Sequence, residues 1–168
     1  MASPSTTAGS SMSISTADLY DERGTELASV ALQFRDFGGK LSFSGPVRTV
    51  QCHHDNALAK ALLSTPGEGA VLIIDGGGSL QRALMGDMIG ESAVKNGWAG
   101  VIINGAVRDS LALATLQLGV KALGTNPAKS AKDGAGRVDV PVQLGDVTIR
   151  VGDVIYADPD GILVAPAS

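Results

Sequence analysis

Apolar residues recur with two different periods along the chain, and each change of period predicts a new element. The segment "STADLYDERG" combines a Ser/Thr cap, early acidic residues and a closing glycine, which predicts a short helix. Strand-like alternation follows in three segments separated by Gly-Gly and Gly-Pro: "ALQFRDF", "KLSFSG" and "VRTVQC". The segment "DNALAKALLST" has apolar residues at helical spacing, with Asp55 as a candidate N-cap, and it ends before Pro66.

The middle of the sequence alternates between strand and helix patterns three times. The continuous apolar run "AVLIIDGGG" predicts a strand buried on both faces. A helix from about Gly86 to Asn96 follows, with Gly97 as its stop, and then a strand in "AGVIIN". A further helix, "SLALATLQLG", is predicted to end at Gly119, before a short strand in "VKALGT". This alternation is typical of parallel βαβ units.

The last third predicts short strands divided by "LGD", "VGD" and "DPDG", and its Asp-Gly pair indicates a hairpin. The pattern therefore predicts one α/β domain over residues 14–168, with mixed parallel and antiparallel strands. The small polar residues at 1–13 predict a disordered tail with no signal peptide.

Composition narrows the possible functions. Hydrophobic residues make up 44% of the chain, which indicates a globular protein, and the net charge of −4 argues against direct nucleic-acid binding. The nearest basic cluster is read as a solvated loop, with a partner-binding edge as the less favoured alternative: Lys121, Lys129, Lys132 and Arg137. No run approaches the roughly 20 apolar residues of a membrane span. The single cysteine, Cys52, predicts a small core residue and a cytoplasmic location.

Two further motifs are weak candidates for chemistry. The glycines of "VLIIDGGGSL" follow a strand, but they lack the complete nucleotide-binding spacing, so a tight turn is favoured, although Asp75 could still face a cleft. His53 and His54 are neighbours in a predicted strand. Their side chains would point to opposite faces, which would prevent them from binding one metal ion together.

The strongest candidate site lies at the end of the strand "VIINGAV". Arg108 and Asp109 follow that strand, and Asp87 lies 21 positions before Arg108, at the start of the preceding helix. Asp109 alone could equally cap the helix that follows it. If the three residues share one edge of a parallel sheet, the free N–H groups of the helix start would suit a carboxylate. The two acidic residues would suit a hard divalent cation.

At these residues the sequence resembles the 4-hydroxy-4-methyl-2-oxoglutarate aldolases and the related regulators of ribonuclease E activity. The resemblance extends over roughly Thr16 to Pro166. The spacing between its first aspartate and the Arg-Asp pair is its most specific element. Six segments carry the likeness: "LQFRDFGGKLSFSGPVRTV", "DNALAKALLS", "VLIIDGGGSLQRALMGD", "GDMIGESAVKNGWAGVIINGAVRD", "LGVKALGTNPAKS" and "GDVIYADPDGILV".

The resemblance implies a three-layer β/β/α swivelling fold, as in phosphohistidine domains, and a homotrimer with sites at subunit boundaries. It also implies a metal-dependent aldolase that cleaves 4-hydroxy-4-methyl-2-oxoglutarate into two pyruvates and decarboxylates oxaloacetate through the same enolate. Asp109 would be the protein ligand of Mg²⁺ or Mn²⁺, and Asp87 would order metal-bound water. Arg108 would bind the keto oxygen. The backbone N–H groups of Gly86, Asp87, Met88 and Ile89 would bind the pyruvyl carboxylate.

Two points leave an alternative function open. Longer aldolases of this family donate a further acidic residue from the neighbouring subunit, whereas this sequence ends at "DPDGILVAPAS", so that acidic residue is expected to be absent or to be replaced by Asp158 or Asp160. The alternative is a protein inhibitor of an RNA-degrading endonuclease, but that branch departs from the motif at its first aspartate, which this chain retains as Asp87. Some relatives are also called demethylmenaquinone methyltransferases, although no segment here is typical of an S-adenosylmethionine site.

Overall fold

The computed structural model describes residues 15–167, and the predicted tail at 1–13 lies outside that part. The described part contains helices α1 (Thr16–Arg23), α2 (Ala57–Leu63), α3 (Asp87–Lys95) and α4 (Ser110–Leu113), with a 3₁₀ turn at Gly24–Glu26. Its strands are β1 (Ala28–Val30), β2 (Arg35–Asp36), β3 (Phe43–Gln51), β4 (Val71–Asp75), β5 (Ala83–Met85), β6 (Gly100–Val107), β7 (Gly119–Thr125), β8 (Arg137–Val138), β9 (Val142–Leu144), β10 (Val147–Ile149), β11 (Val154–Asp158) and β12 (Gly161–Ala165). No helix in residues 15–167 is long and apolar enough to cross a membrane.

A large mixed sheet organises the fold, as the strand patterns predict. Its order is β1-β12-β11-β3-β4-β6-β7-β2, with β5 added beside β6 and β8 beside β3. Strands β3, β4, β6 and β7 run parallel, whereas β1, β12, β11 and β3 pair antiparallel. The parallel strands thus form one half of the sheet and the antiparallel strands form the other.

Strand β3 joins the two halves, and the predicted break at its Gly-Pro pair is wrong. The strand pairs antiparallel with β11 up to Pro46 and parallel with β4 from Val47 onwards. Gly45 permits a close approach, because a Cβ atom there would lie 2.1 Å from the carbonyl oxygen of Gly69. Pro46, which has no N–H to donate, stands where the strand changes partners. The pair therefore marks a change of partner within one strand.

The helix after Asp109 is also shorter than predicted, since α4 ends at Leu113 and Gly119 begins β7. The residues between them cannot continue the helix, because their carbonyls serve other partners. The N–H of Gly39 donates to Leu116 O and that of Lys40 donates to Leu118 O. In "SLALATLQLG", Leu113 and Leu118 are buried and Leu116 packs against the core, whereas Leu111 is exposed, so the apolar spacing does not mark one long helix.

The remaining predictions concern elements near the two ends of the chain, where some are confirmed and some are wrong. Ser15 caps α1, and the predicted hairpin is confirmed as β11 and β12, joined through Pro159 and Asp160. The strand predicted in "ALQFRDF" is reduced to β2, with two residues, and the sequence reading did not find β1, which pairs with β12.

Apolar side chains cover both faces of the sheet. On one face α2 and α3 pack against it through Ala59, Leu63, Ile89 and Ala93. On the other face lies the β9–β10 hairpin, whose buried residues pack with side chains of β3, β4, β6, β11 and β12: Val142, Leu144 and Ile149. The sheet is therefore enclosed between helices and a small second sheet.

Lys121 is buried within β7 and does not belong to a solvated loop, so that part of the prediction is wrong. Its ammonium group donates to Asp36 Oδ1 at 2.9 Å and to the carbonyl oxygen of Asp158 at 2.8 Å. The Asp158 carboxylate in turn accepts two 2.7 Å bonds from Thr16, through its N–H and its hydroxyl. A paired buried charge thus connects β7, β2, the end of β11 and α1.

We expect Lys121→Met to lower the free energy of unfolding by about 3 kcal/mol, because it leaves the Asp36 carboxylate and the Asp158 carbonyl without their donor. The matched control is Lys95→Met at an exposed position, where we expect a change within about 0.5 kcal/mol. Urea unfolding followed by circular dichroism measures both. Equal midpoints for the two variants would contradict this role of Lys121.

Candidate active site

Two neighbouring strand ends bring the predicted site residues together. β5 pairs parallel with β6, and the N–H of Arg108 donates to the carbonyl oxygen of Met85 at 3.0 Å. The chain leaves β5 at Gly86 and immediately starts α3, while the chain that leaves β6 continues into Arg108 and Asp109. The start of α3 and the Arg-Asp pair are therefore adjacent.

Asp109 does not cap its own helix. Its backbone is left-handed (φ 59°, ψ 43°), and its side chain makes no capping bond to α4. Instead, Oδ2 accepts a 3.0 Å hydrogen bond from the N–H of Asp87, in the first turn of α3. This places a carboxylate at the positive end of the α3 dipole, which stabilises both groups. The Asp109 carboxylate therefore caps the neighbouring helix α3 and not the helix that follows it.

Gly86 makes this arrangement possible. A Cβ atom at this position would lie 2.5 Å from Oδ2 of Asp109 and 3.2 Å from Cγ of Arg108. Any larger residue would displace both side chains. The glycine before α3 is thus required by close approach, although its own φ of −133° is accessible to other residues.

Arg108 is half-buried beside this contact, and only part of its guanidinium group is used by the protein. Nη1 donates a 3.3 Å hydrogen bond to the carbonyl oxygen of Pro127. Because a guanidinium group carries five N–H donors in a fixed plane, others remain to bind an oxygen in the cleft.

All six predicted site residues line one open cleft with a cavity volume of about 370 Å³: Gly86, Asp87, Met88, Ile89, Arg108 and Asp109. Of the four predicted amides, the N–H of Asp87 is engaged by Asp109. The N–H groups of Met88 and Ile89 belong to the first helical turn, where no intrahelical acceptor exists.

The sequence analysis did not assign to this cleft six further polar residues of its wall: Asn56, Lys60, Ser64, Ser92, Lys129 and Lys132. A signal for three of them was available, since Asn56, Lys60 and Ser64 are spaced by four and form one polar stripe along α2. Lys129 and Lys132 were noted only as members of a basic cluster interpreted as a solvated loop, because loop residues have no periodicity that reveals what they face.

The histidine pair differs from the prediction. His53 and His54 follow the end of β3 in a turn, where His54 has a left-handed backbone (φ 55°). Their rings stack with centroids 3.9 Å apart, so the predicted opposite orientation is wrong. His54 Nε2 lies 2.7 Å from the hydroxyl of Ser79, and burial, with a smaller contribution from His53, lowers the pKa of His54.

The other weak candidates have structural roles. Asp75 Oδ1 accepts from the N–H of Gly77 at 2.9 Å and from Asn104 Nδ2 at 3.1 Å, so the glycine segment is the tight turn that the sequence predicts. Cys52 is buried, and burial raises the pKa of its thiol to about 11. A protonated thiol is a poor nucleophile.

The acidic residues available to a metal ion are few. No cluster of three or more His, Cys, Asp or Glu side chains suited to a metal occurs in residues 15–167. Asp87 and Asp109 supply two carboxylates to one cleft. Asp158, which the sequence analysis considered as a further acidic residue for the site, is buried and accepts from Thr16 and Asp160, so its oxygens are already engaged.

Known proteins have a similar fold and a related sequence. A family model described as "RraA-like: Aldolase/RraA" matches residues 16–164. A Geobacillus kaustophilus structure described as an S-adenosylmethionine: 2-dimethylmenaquinone methyltransferase is 44% identical, with a TM-score of 0.90 over 92% of this chain and 96% of that one. The RNA-processing inhibitor RraA from Thermus thermophilus is 43% identical, with a TM-score of 0.89 over 93% and 94% of the two chains.

A more distant relative adds a second inhibitor. RraAS2 from Streptomyces coelicolor, described as an unusual member of the RNase ES inhibitor RraA protein family, is 28% identical, with a TM-score of 0.75 over 91% of this chain and 81% of that one. The family match covers nearly all of the described residues, including every residue of the cleft. The chain therefore belongs to the RraA-like aldolase/RraA family.

Proposed function

We propose that the protein is a divalent-metal-dependent lyase that cleaves 4-hydroxy-4-methyl-2-oxoglutarate into two pyruvates and decarboxylates oxaloacetate. The observation that carries the proposal is the position of Asp109, whose carboxylate lies beside Arg108 at the start of α3 and not at its own helix. One cleft thereby holds an acidic pair, a guanidinium group and free amides. The family name, which includes aldolases, supports the same reading.

The pyruvyl end of the substrate binds between α3 and Arg108. Its carboxylate accepts from the N–H groups of Met88 and Ile89, at the positive end of the helix dipole. Arg108 donates to the 2-keto oxygen, and this bond strengthens as negative charge develops on that oxygen. The roles expected for Gly86 and Asp87 shift accordingly: Gly86 leaves space for the side chain of Asp109, and the N–H of Asp87 holds it.

The acidic pair fits a hard divalent cation, Mg²⁺ or Mn²⁺. Such ions use one or two carboxylates and keep several waters, so two acidic residues suffice even though residues 15–167 contain no cluster of three such ligands. Asp109 would hold the ion directly, because its bond to α3 engages Oδ2 and leaves Oδ1 available. Asp87 would order a water molecule beside it. When bound, the ion acts as a Lewis acid on the 2-keto group.

The bond that breaks joins C3 and C4 of the substrate. The proton of the 4-hydroxyl passes to a water held by the acidic residues, the hydroxyl oxygen becomes the keto oxygen of one pyruvate, and the C3–C4 electron pair moves into the enolate of the other. Arg108 faces the oxygen that gains charge. Protonation of C3 completes the second pyruvate. Oxaloacetate gives the same enolate by loss of carbon dioxide.

We also propose a homotrimer of three-layer β/β/α swivelling domains, located in the cytoplasm. The layering is supported by the helices and the β9–β10 hairpin, which pack on opposite faces of the sheet. Assembly is supported by two exposed apolar side chains directly beside the site, Met88 (78% exposed) and Leu111 (88% exposed). Burial of both by a neighbouring copy would cover the edge of the cleft. The buried Cys52 supports a reducing compartment.

A second candidate function is inhibition of an RNA-degrading endonuclease. It is supported by the names of two related proteins, an RNA-processing inhibitor and a member of the RNase ES inhibitor family. The methyltransferase name of a third has less support here, because the glycine segment after β4 lacks the nucleotide-binding spacing and forms a tight turn in which Asp75 accepts from the N–H of Gly77.

One assay separates the two functions. Purified protein is mixed with oxaloacetate or 4-hydroxy-4-methyl-2-oxoglutarate, and pyruvate is measured with Mg²⁺, with Mn²⁺ and with EDTA. The lyase produces pyruvate that EDTA abolishes. An absence of turnover on both substrates with either metal, together with tight binding to an endonuclease, would establish the inhibitor instead.

We expect Asp109→Asn to reduce kcat for pyruvate formation by about 100-fold or more, because the side chain keeps an acceptor for α3 but loses the charge that binds the cation. Asp109→Ala loses the helix contact as well and should also unfold about 1 kcal/mol more easily. The control is Asp146→Asn, at an exposed turn. Full activity of Asp109→Asn would remove Asp109 from the metal site.

Arg108→Lys should reduce kcat by about 10²–10³-fold with a smaller effect on KM, because an ammonium group lacks the planar fork that reaches the developing enolate oxygen. Arg150→Lys, at an exposed position, should leave both constants unchanged. Steady-state kinetics on oxaloacetate with saturating Mg²⁺ measures them. A pure KM effect would mean that Arg108 binds substrate without stabilising the transition state.

A further inference from the structure

Outside the cleft, a serine and a histidine are in direct contact. His54 Nε2 lies 2.7 Å from the hydroxyl oxygen of Ser79. Neither residue lines the cleft beside α3, and the mechanism above uses neither of them. A serine within hydrogen-bond reach of an imidazole is the pairing that activates a hydroxyl group as a nucleophile. We call these two residues the Ser79–His54 pair.

The parallel half of the sheet brings the pair together. β3 and β4 are parallel neighbours, and their last residues, Gln51 and Asp75, are opposite each other in the register. His54 follows shortly after the end of β3, and Ser79 follows shortly after the end of β4. The two segments therefore leave the sheet side by side, at the edge where α/β sheets bind their ligands.

The backbone at both positions adopts an uncommon conformation. Gly77 and Gly78 precede Ser79 with φ of 69° and 78°, so the chain turns sharply after β4. His54 has a left-handed backbone (φ 55°), which costs free energy for a residue with a Cβ atom, and the N–H of Ala131 holds its carbonyl oxygen at 2.8 Å. Such strain is concentrated at functional sites. A serine on a sharp turn after a buried parallel strand also occurs in acyl-transfer enzymes.

The other contacts of the pair leave the proton of Ser79 for His54. The N–H of Gln81 donates to Ser79 Oγ at 3.2 Å, so this oxygen already accepts one bond from the backbone. Burial lowers the pKa of His54, and the positive charges of His53 and Arg82 lower it further, so the ring is neutral at pH 7. In the tautomer protonated at Nδ1, Nε2 accepts the hydroxyl proton. The imidazole thus has the protonation state that a general base requires.

Stacking orients the imidazole ring. The ring of His53 lies on that of His54, with centroids 3.9 Å apart and 26° between the ring planes. Within residues 15–167, His54 forms no hydrogen bond or ion pair with a carboxylate, so the third group of a catalytic triad is replaced here by a ring contact. We therefore expect slower turnover than a complete triad gives.

Small molecules can approach Ser79 from solvent. Leu80 is 45% exposed, and Gln81 and Arg82 are exposed as well. The N–H that points at Oγ and the guanidinium group of Arg82 are donors for the oxyanion that forms when a carbonyl carbon is attacked. The side chain of Leu80 offers apolar contact to a short acyl group.

We propose that Ser79 is a nucleophile, activated by His54, that hydrolyses small carboxylic esters through an acyl-serine. Ser79 Oγ attacks the carbonyl carbon while its proton moves to His54 Nε2. The bond from the carbonyl carbon to the alcohol oxygen breaks, and the alcohol leaves with the proton from His54. A water molecule then attacks the acyl group and gives a proton to His54, which returns it to Oγ as the carboxylic acid is released. The reaction uses no metal ion, unlike the proposed lyase.

A fluorophosphonate tests the nucleophile directly, because Oγ displaces its fluoride and keeps the phosphonyl group. The whole protein is incubated with the reagent, with and without EDTA, and the site is mapped by peptide mass spectrometry. We expect an adduct on Ser79 that forms equally fast in EDTA and about 100-fold or more faster than any adduct on the exposed Ser29. With p-nitrophenyl acetate, the protein should release a burst of about one equivalent of p-nitrophenolate, followed by slow turnover.

Three variants complete the test. Ser79→Ala should lose both the adduct and the burst. His54→Asn removes the base but keeps a residue that tolerates a left-handed backbone, so it should slow the labelling of Ser79 by about 100-fold or more. Ser29→Ala is the matched control and should be labelled like the wild type. Circular dichroism shows whether each variant folds.

Wild-type protein alone can refute the proposal. If Ser79 stays unlabelled, or if His53 carries the label instead, the hydroxyl group of Ser79 only closes the turn through Gln81. Labelling of Ser79 at the wild-type rate in His54→Asn would equally overturn the pair. These outcomes are independent of the lyase, which is measured by metal-dependent pyruvate formation.

Discussion

The site depends on one short contact, the hydrogen bond from the N–H of Asp87 to the Asp109 carboxylate. It brings the residue after β6 against the first turn of α3, and it does so only because Gly86 has no side chain in the way. The contact stabilises a left-handed aspartate that would otherwise be strained. Since the same bond leaves the other carboxylate oxygen available, the helix N-terminus orients a group that can hold a cation.

The parallel half of the sheet positions the two segments that make this contact. β5, β6 and β7 end on the same side, and the chain emerges there with its carbonyl and N–H groups still pairing across strands, as between Arg108 and Met85. Phe43 aligns the beginnings of two of these strands, because its ring lies where a Cβ of Gly100 or Gly119 would be. The strand starts are thus packed tightly around an aromatic ring, while the strand ends are open and polar. This division suits ligand binding at the carboxyl ends of parallel strands.

Sequence patterns predicted those elements of the fold that are determined by residues close together in the sequence. The buried strand β4, the helix α3 with its glycine stop and the last hairpin follow from apolar runs and turn residues. The patterns failed where contacts with residues distant in the sequence determine the local structure. Strand β3 continues through Pro46 because it changes partners at that residue. Lys121 is buried because Asp36 and Asp158 accept hydrogen bonds from its ammonium group.

In the candidate site, too, some features could be predicted from sequence spacing and others could not. The spacing of Asp87 from the Arg-Asp pair placed three groups at one edge, since parallel strands impose that geometry. No pattern revealed that Asp109 would cap a neighbouring helix, because a capping bond between segments 22 residues apart depends on the register of β5 and β6. The position of Lys129 and Lys132 in the cleft was not predicted for a related reason: their loop is held by Asp55, a residue interpreted from the sequence only as a helix cap. The Asp55 carboxylate accepts hydrogen bonds both at the start of α2 and in the segment after Lys132. It therefore helps to position the cationic side chains on this wall of the cleft.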